Sequence, residues 1–266
     1  MTIHTLLDEM WRDYLAFNPE VQRIHQLLAD QNNGDIVNDH IALRTFDCHH
    51  LGIATLAAPF LVQGYDYAGE YHFTEKKLYA QHLEHSDSRL PKVFISELKV
   101  GLLSKSAQQC IEGLVQQVDA SQLDRDDFCY SGRPWHVSYA DYQQLLAESE
   151  YAAWMAAFGY RPNHFTVFVN ALSSHDSLES LNAYLAANDV QLNTAGGEIK
   201  GSPEQYLEQS STLANTIDVV FSDQAARIAS CYYEFARRYP LPSGDLYQGF
   251  VAKSADKIFE STDVAR

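Results

Sequence analysis

Asn38-Asp39-His40-Ile41-Ala42-Leu43-Arg44-Thr45-Phe46 and Pro162-Asn163-His164-Phe165-Thr166-Val167-Phe168-Val169-Asn170 share one pattern. In each, an acidic or amide residue precedes a histidine, and alternating small and bulky residues follow. Alternation at period two marks a strand, in which residues i, i+2 and i+4 share a face. His40, Ala42 and Arg44 therefore point one way, and His164, Thr166 and Phe168 point together by the same parity. A third segment, Tyr232-Tyr233-Glu234-Phe235-Ala236-Arg237-Arg238, places one carboxylate, Glu234, inside an otherwise aromatic strand.

Working outward, residues 5–31 read as two helices. Leu6, Leu7, Met10, Trp11 and Tyr14 recur at helical spacing, and Asn18-Pro19 supplies a cap followed by proline at the first helical position. The first strand follows from about residue 36. The stretch from Leu51 to Val100 mixes helix and strand, with Lys92–Leu98 as its clearest strand. A helix is predicted from Ser104, with Ile111, Leu114, Val115 and Val118 on one face, and 139–158 forms a third helical block closed by Gly159. After the second histidine strand, Asp176–Asn188 reads as a helix. Thr216–Phe221 and Ser230–Arg237 read as antiparallel strands broken at Ser222-Asp223. The order strand, helix, strands is thus used twice. It divides one functional unit into a first module (36–130), a helical insertion (131–161), a second module (162–240) and a tail (241–266). Within the tail, Ser254–Phe259 reads as a helical turn packing over a site.

A chain of 266 residues can bury a large core as one domain or as two fused modules. Its net charge of -16 argues against nucleic acid, because phosphate would be repelled. Cys48, Cys110, Cys129 and Cys231 show no CxxC spacing, so neither a zinc ribbon nor a redox pair is indicated. The N-terminus lacks the basic and apolar regions of a signal peptide, and no stretch is apolar for the roughly 18 residues that a membrane helix needs. A soluble, cytoplasmic protein is expected, with its cysteines as free thiols.

The three strands carry the chemistry. Two histidines and a glutamate from separate strands are the ligand set of a mononuclear iron(II) site with open coordination positions. A carboxylate facing a core is costly unless paired or bound to metal, and ligation answers that cost for Glu234. Pairing with Arg237, Arg238 or Arg44 would answer it equally well. His72 and His136 are the substitutes should His40 or His164 not ligate. His82 and His85 lie in a charged, exposed-looking stretch, and Ser96-Glu97 is a second polar intrusion in an apolar strand. Arg44 lies four residues beyond His40, about 13 Å at about 3.3 Å per residue, with the small Ala42 between them. Its planar fork could hold the far carboxylate of a ligand whose near end sits on the metal. No HExxH, GxSxG or P-loop motif is present.

Taken together, Asp39–Phe46, Lys92–Leu98, Asn163–Thr166, Tyr232–Phe235 and Ser254–Ser261 resemble the 2-oxoadipate dioxygenase/decarboxylase family, which is related to the vicinal oxygen chelate superfamily. The matches span nearly the whole chain. The resemblance implies an α+β fold in which two fused βαβββ modules form a central open β-barrel around a metal, with helices packed outside. It implies Fe(2+) held by His40, His164 and Glu234, and substrate held by Arg44 and the tail serine, Ser254. Lys253 stands where longer members carry valine, which makes it a further candidate for substrate binding. The implied reaction is oxidative decarboxylation of 2-oxoadipate with O2 to 2-hydroxyglutarate and CO2, as in lysine breakdown. No nucleic-acid or membrane partner is implied. Two other readings stay open on the same scaffold: a glyoxalase-like metal-dependent isomerase or lyase, and a non-catalytic anion-binding protein.

Overall fold

Every residue of Asn38–Phe46 after the first is buried, because this strand lies mid-sheet with a neighbour on each side. The computed structural model describes residues 1–34, 36–48 and 50–251. Two helices come first, α1 (Ile3–Phe17) and α2 (Pro19–Gln31). Then follow β1 (Asn38–Phe46), α3 (Ile53–Val62), β2 (Tyr65–Phe73), β3 (Leu78–His85) and β4 (Lys92–Leu98). Three helices come next, α4 (Lys105–Val115), α5 (Tyr139–Leu146) and α6 (Glu150–Phe158). The remainder is β5 (Pro162–Phe168), α7 (Leu178–Ala187), β6 (Lys200–Ser202), β7 (Leu207–Ser211), β8 (Thr216–Val220), β9 (Ala225–Ala229) and β10 (Glu234–Arg238).

Eight strands form one curled half-barrel in the order β2-β3-β4-β1-β5-β10-β7-β6, and β8-β9 is a separate hairpin. The order reads alike from either end. β1-α3-β2-β3-β4 and β5-α7-β6-β7-β10 are each a βαβββ unit whose first strand pairs in parallel with its last. The units meet where β1 and β5 run antiparallel, with His40 opposite Thr166 and Ala42 opposite His164. The fold is α+β, two vicinal-oxygen-chelate-like units sharing one sheet with helices outside it.

Local chemistry explains most element ends. Thr2 and Ser104 accept hydrogen bonds from the first turns of α1 and α4, and Pro19 starts α2 after Asn18. The helical block expected over 139–158 is two helices, because the Ser149 hydroxyl accepts from Ala152 N and caps a new start. From Tyr151 to Phe158 every α6 residue is buried, so this helix fills space between sheet and exterior. Gly159 (φ 68°) ends it, and a Cβ there would lie 2.4 Å from Gly132 O, so only glycine fits.

The strand pairing expected near the C-terminus differs. Thr216–Val220 pairs with Ala225–Ala229, and β10 pairs with β7 instead. Ser230–Tyr233 precedes β10 as irregular chain, its carbonyls taken by Trp154 Nε1, Asn215 N and Thr212 N. The segment 252–266 with Lys253, Ser254 and the expected helical turn lies outside the described residues.

Candidate metal centre

The register places the three ligand candidates beside one another. Thr166 is cross-strand neighbour to both His40 on β1 and Glu234 on β10, and His164 sits one pleat away on the same face of β5. One ligand atom each from His40, His164 and Glu234 falls within 4.8 Å of the others, and all three residues are buried. Glu234 Oε1 lies 3.3 Å from His40 Nε2, and its Oε2 lies 3.7 Å from His164 Nε2.

Each imidazole is aimed by the residue before it. His40 Nδ1 donates to Asp39 Oδ1 at 2.8 Å, and His164 Nδ1 donates to Asn163 Oδ1 at 3.0 Å. With Nδ1 held in this way, Nε2 of each ring is the nitrogen left to turn a lone pair to a metal in the cluster. Tyr232 stacks on His164 with centroids 4.7 Å apart, and Phe250 sets its ring edgewise to His40 at 4.8 Å. Gln209 Nε2 donates to Glu234 Oε1 at 2.6 Å, and Thr166 Oγ1 donates to the same oxygen at 3.3 Å. Glu234 Oε2 is buried and has no hydrogen-bond partner among the described residues. A buried carboxylate oxygen left bare costs several kcal/mol, on the order of 1–3 or more, so the cluster fits a cation.

Burial lowers the His164 pKa to about 3, which keeps that ring neutral. Burial also pulls on His40, but the hydrogen bonds that it donates to the Asp39 and Glu234 carboxylates overcome it and raise its pKa. Burial opposes ionisation of Glu234, and hydrogen bonds from His40 and Gln209 reverse this, so its pKa is lowered. Asp39 is likewise buried against ionisation, yet the Arg238 guanidinium holds it far below the usual carboxylate range.

Arg44 is buried on β1 with its guanidinium over the Tyr151 ring at 4.8 Å and the Trp154 ring at 5.1 Å, both on α6. A cavity of about 220 Å³ between Lys76-Lys77 and the start of α6 reaches Arg44 and Tyr151. Tyr151 is fixed in turn, its hydroxyl donating to Ser96 O at 2.7 Å and accepting from Thr45 N at 3.0 Å. The polar pair Ser96-Glu97 is structural here, since Ser96 Oγ meets Tyr151 Oη and Glu97 Oε2 accepts from Ile53 N at the start of α3.

His40, His164 and Glu234 are thus brought together, and Arg44 shares their face of the sheet. His72 and His136 are exposed and stand outside the cluster. Arg238 is committed to Asp39, with Nε–Oδ2 at 2.6 Å and Nη2–Oδ1 at 2.8 Å. His82 is buried, contrary to its charged surroundings in sequence, because Tyr71 and Glu84 engage its two nitrogens. Asp39 and Asn163 were visible as the residues preceding the histidines. Arg238, which the sequence offers as a partner for Glu234, pairs with Asp39 instead, while Gln209 and Phe250 carried no signal of a role at the site.

Among the described residues, no helix is long and apolar enough to cross a membrane. A family described as 2-oxoadipate dioxygenase/decarboxylase matches residues 3–245. The chain is 34% identical over 290 residues to the chloroplastic 2-oxoadipate dioxygenase/decarboxylase of Arabidopsis thaliana, covering 97% of this chain and 76% of that protein. It is similar to the crystal structure of an Oryza sativa hydroxyglutarate synthase in complex with 2-oxoadipate, at TM-score 0.91 and 35% identity over 97% of this chain and 91% of that one. A Shewanella frigidimarina protein, described only provisionally as a hydrolase, matches at TM-score 0.91 and 51% identity over 94% of this chain and 97% of that one. A glyoxalase-superfamily protein from Ralstonia eutropha, 20% identical over 92% of this chain and 84% of its own, shares the fold at TM-score 0.71. With its doubled βαβββ sheet and its central His-His-Glu cluster, the chain belongs to the 2-oxoadipate dioxygenase/decarboxylase family.

Proposed function

We propose that this protein binds Fe(2+) through His40, His164 and Glu234 and converts 2-oxoadipate and O2 to 2-hydroxyglutarate and CO2. The observation that carries the reading is the buried convergence of two imidazole Nε2 atoms and one bare carboxylate oxygen. Two imidazoles and a carboxylate on one side leave the other positions open, the donor set of ferrous oxygenases. When bound, the ferrous ion supplies chelation of the 2-oxo acid and activation of O2. The reaction balances with one oxygen atom entering the new carboxylate and the other the hydroxyl, so no second 2-oxo acid is consumed.

The residues have separable parts in this. Asp39 and Asn163 orient the two imidazoles, and Gln209 and Thr166 hold Glu234. Arg44 takes the distal carboxylate of 2-oxoadipate, a charge-assisted contact of about 1.5–3 kcal/mol. Tyr232 and Phe250 wall the imidazoles and keep water from them. Lys253 and Ser254 are proposed to add contacts to substrate. The chain then acts as one functional unit of two modules, and its reaction would consume the 2-oxoadipate of lysine breakdown.

The test is anaerobic reconstitution with Fe(2+), addition of 2-oxoadipate, and measurement of O2 uptake against CO2 release. Equal uptake and release, with both atoms of labelled O2 in 2-hydroxyglutarate, is the expected result. Turnover without O2 would instead make this a metal-dependent isomerase or lyase.

A further inference from the structure

Arg238 is almost fully buried at the end of β10, and four of its five N–H donors are accounted for by two different parts of the chain. Nε and Nη2 clamp Asp39 through both carboxylate oxygens. Nη1 donates to Tyr247 O at 2.9 Å and to Gly249 O at 2.8 Å, carbonyls of the strap that follows β10. The strap ends on Phe250, whose ring lies 5.2 Å from the guanidinium and edgewise to His40. The Phe250 backbone is pinned by Tyr71 Oη at its N–H and by Tyr247 Oη at its carbonyl. Asn170 fixes the Arg238 backbone, accepting from its N–H and donating to its carbonyl.

One side chain therefore ties the strap to Asp39, and Asp39 Oδ1 is the atom that fixes the His40 tautomer. Only a planar fork can hold a carboxylate by two bonds and still present a third nitrogen to two carbonyls. The buried Asp39 charge would be costly without that fork, and a neutral Asp39 would be a weaker acceptor for His40 Nδ1–H.

We propose that Arg238 is a positioning residue that makes the metal affinity of His40 depend on seating of the Leu246–Phe250 strap. This rests on the metal-binding reading above. The test is equilibrium titration of the full chain with cobalt(II), followed by its visible absorption and needing no substrate. Arg238→Lys and Asp39→Asn should each weaken cobalt binding about 10- to 100-fold and shift the absorption bands, as loss of an orienting partner does. The double variant should be no weaker than the worse single one, because both act on one path. Gly249→Val, whose side chain must displace the Tyr247 hydroxyl, should weaken cobalt binding in the wild-type background and have no effect in Arg238→Lys. Should Arg238→Lys fail to fold, Asp39→Asn and Gly249→Val carry the test. Wild-type affinity in either Asp39→Asn or Gly249→Val, or additive losses in the double variant, overturns the inference alone. A wild-type chain that binds no cobalt overturns it together with the metal-binding reading.

Discussion

Phe94 and Glu234 occupy the same position in the two halves of the sheet. The β1–β5 register pairs His40 with Thr166 and Ala42 with His164, so a two-fold between the strands exchanges His40 with His164 and Ala42 with Thr166. Phe94 is the parallel partner of Ala42, and Glu234 is the parallel partner of Thr166. A fully symmetric cluster would carry a fourth candidate ligand where this one carries a phenyl ring. That ring packs on Phe250 at 4.9 Å. Among the described residues the broken symmetry leaves the Phe94 side of the cluster without a further His, Cys, Asp or Glu donor, and that is the side a chelating substrate would need.

Restoring the symmetry should close the centre. Phe94→Glu supplies a carboxylate at the two-fold equivalent of Glu234, so metal binding is expected to be kept or tightened while turnover falls at least about 100-fold. Metal content and O2 uptake on the same preparation check this. Full activity in Phe94→Glu would mean that substrate approaches from elsewhere.

Removing a ligand should separate binding from stability. Glu234→Gln keeps the shape of the side chain but loses its charge, so iron occupancy is expected to drop at least about tenfold. The metal-free variant should melt only slightly lower than the metal-free wild type, because Glu234 ionises more readily in the fold than in the unfolded chain and so contributes some stability as a carboxylate. His40→Ala and His164→Ala should lose iron as well. Full iron occupancy in any of the three removes that residue from the ligand set.

Sequence reasoning reached the three residues of the cluster because each sits in a short segment that breaks a simple rule. His40 and His164 interrupt apolar alternation, and Glu234 is a carboxylate in an aromatic run. It could not reach the pairing of Gln209 with Glu234 or of Arg238 with Asp39, because these partners lie across a strand order that runs β1-β5-β10-β7 rather than in sequence. The misread pairing of Thr216–Phe221 has the same origin. A turn at Ser222-Asp223 fits a hairpin to Ala225–Ala229 as well as a longer return, and Cys231-Tyr232-Tyr233 is apolar enough to pass for strand. What makes it irregular is tertiary: Trp154 and Tyr14, on α6 and α1, take the carbonyls of Ser230 and Tyr232.

Arg44 should govern substrate affinity and not metal affinity. Its guanidinium lies on α6 aromatics, on the face of the sheet that the His40, His164 and Glu234 cluster shares. Arg44→Ala is expected to keep full iron occupancy and to raise the KM for 2-oxoadipate about 10- to 150-fold, the equivalent of about 1.5–3 kcal/mol. Arg44→Lys should recover only part of this, since a point charge replaces a fork. Steady-state kinetics with metal analysis checks both, and an unchanged KM would hand the distal carboxylate to another residue.

His25 should make folding stability fall in mild acid. The ring is partly buried on α2, its Nδ1 3.2 Å from Tyr233 Oη and its centroid 5.0 Å from Trp11. Burial lowers its pKa from the ordinary value of 6.5. The folded state therefore refuses a proton that the unfolded chain accepts, so stability contributed by the neutral ring is complete above about pH 6.5 and declines as pH drops toward the folded value. His25→Gln cannot take up that proton. The denaturant midpoint of wild type should fall more steeply than that of His25→Gln between about pH 7 and about pH 5. Parallel pH profiles for the two proteins would show that the buried ring is not the group whose protonation weakens the fold.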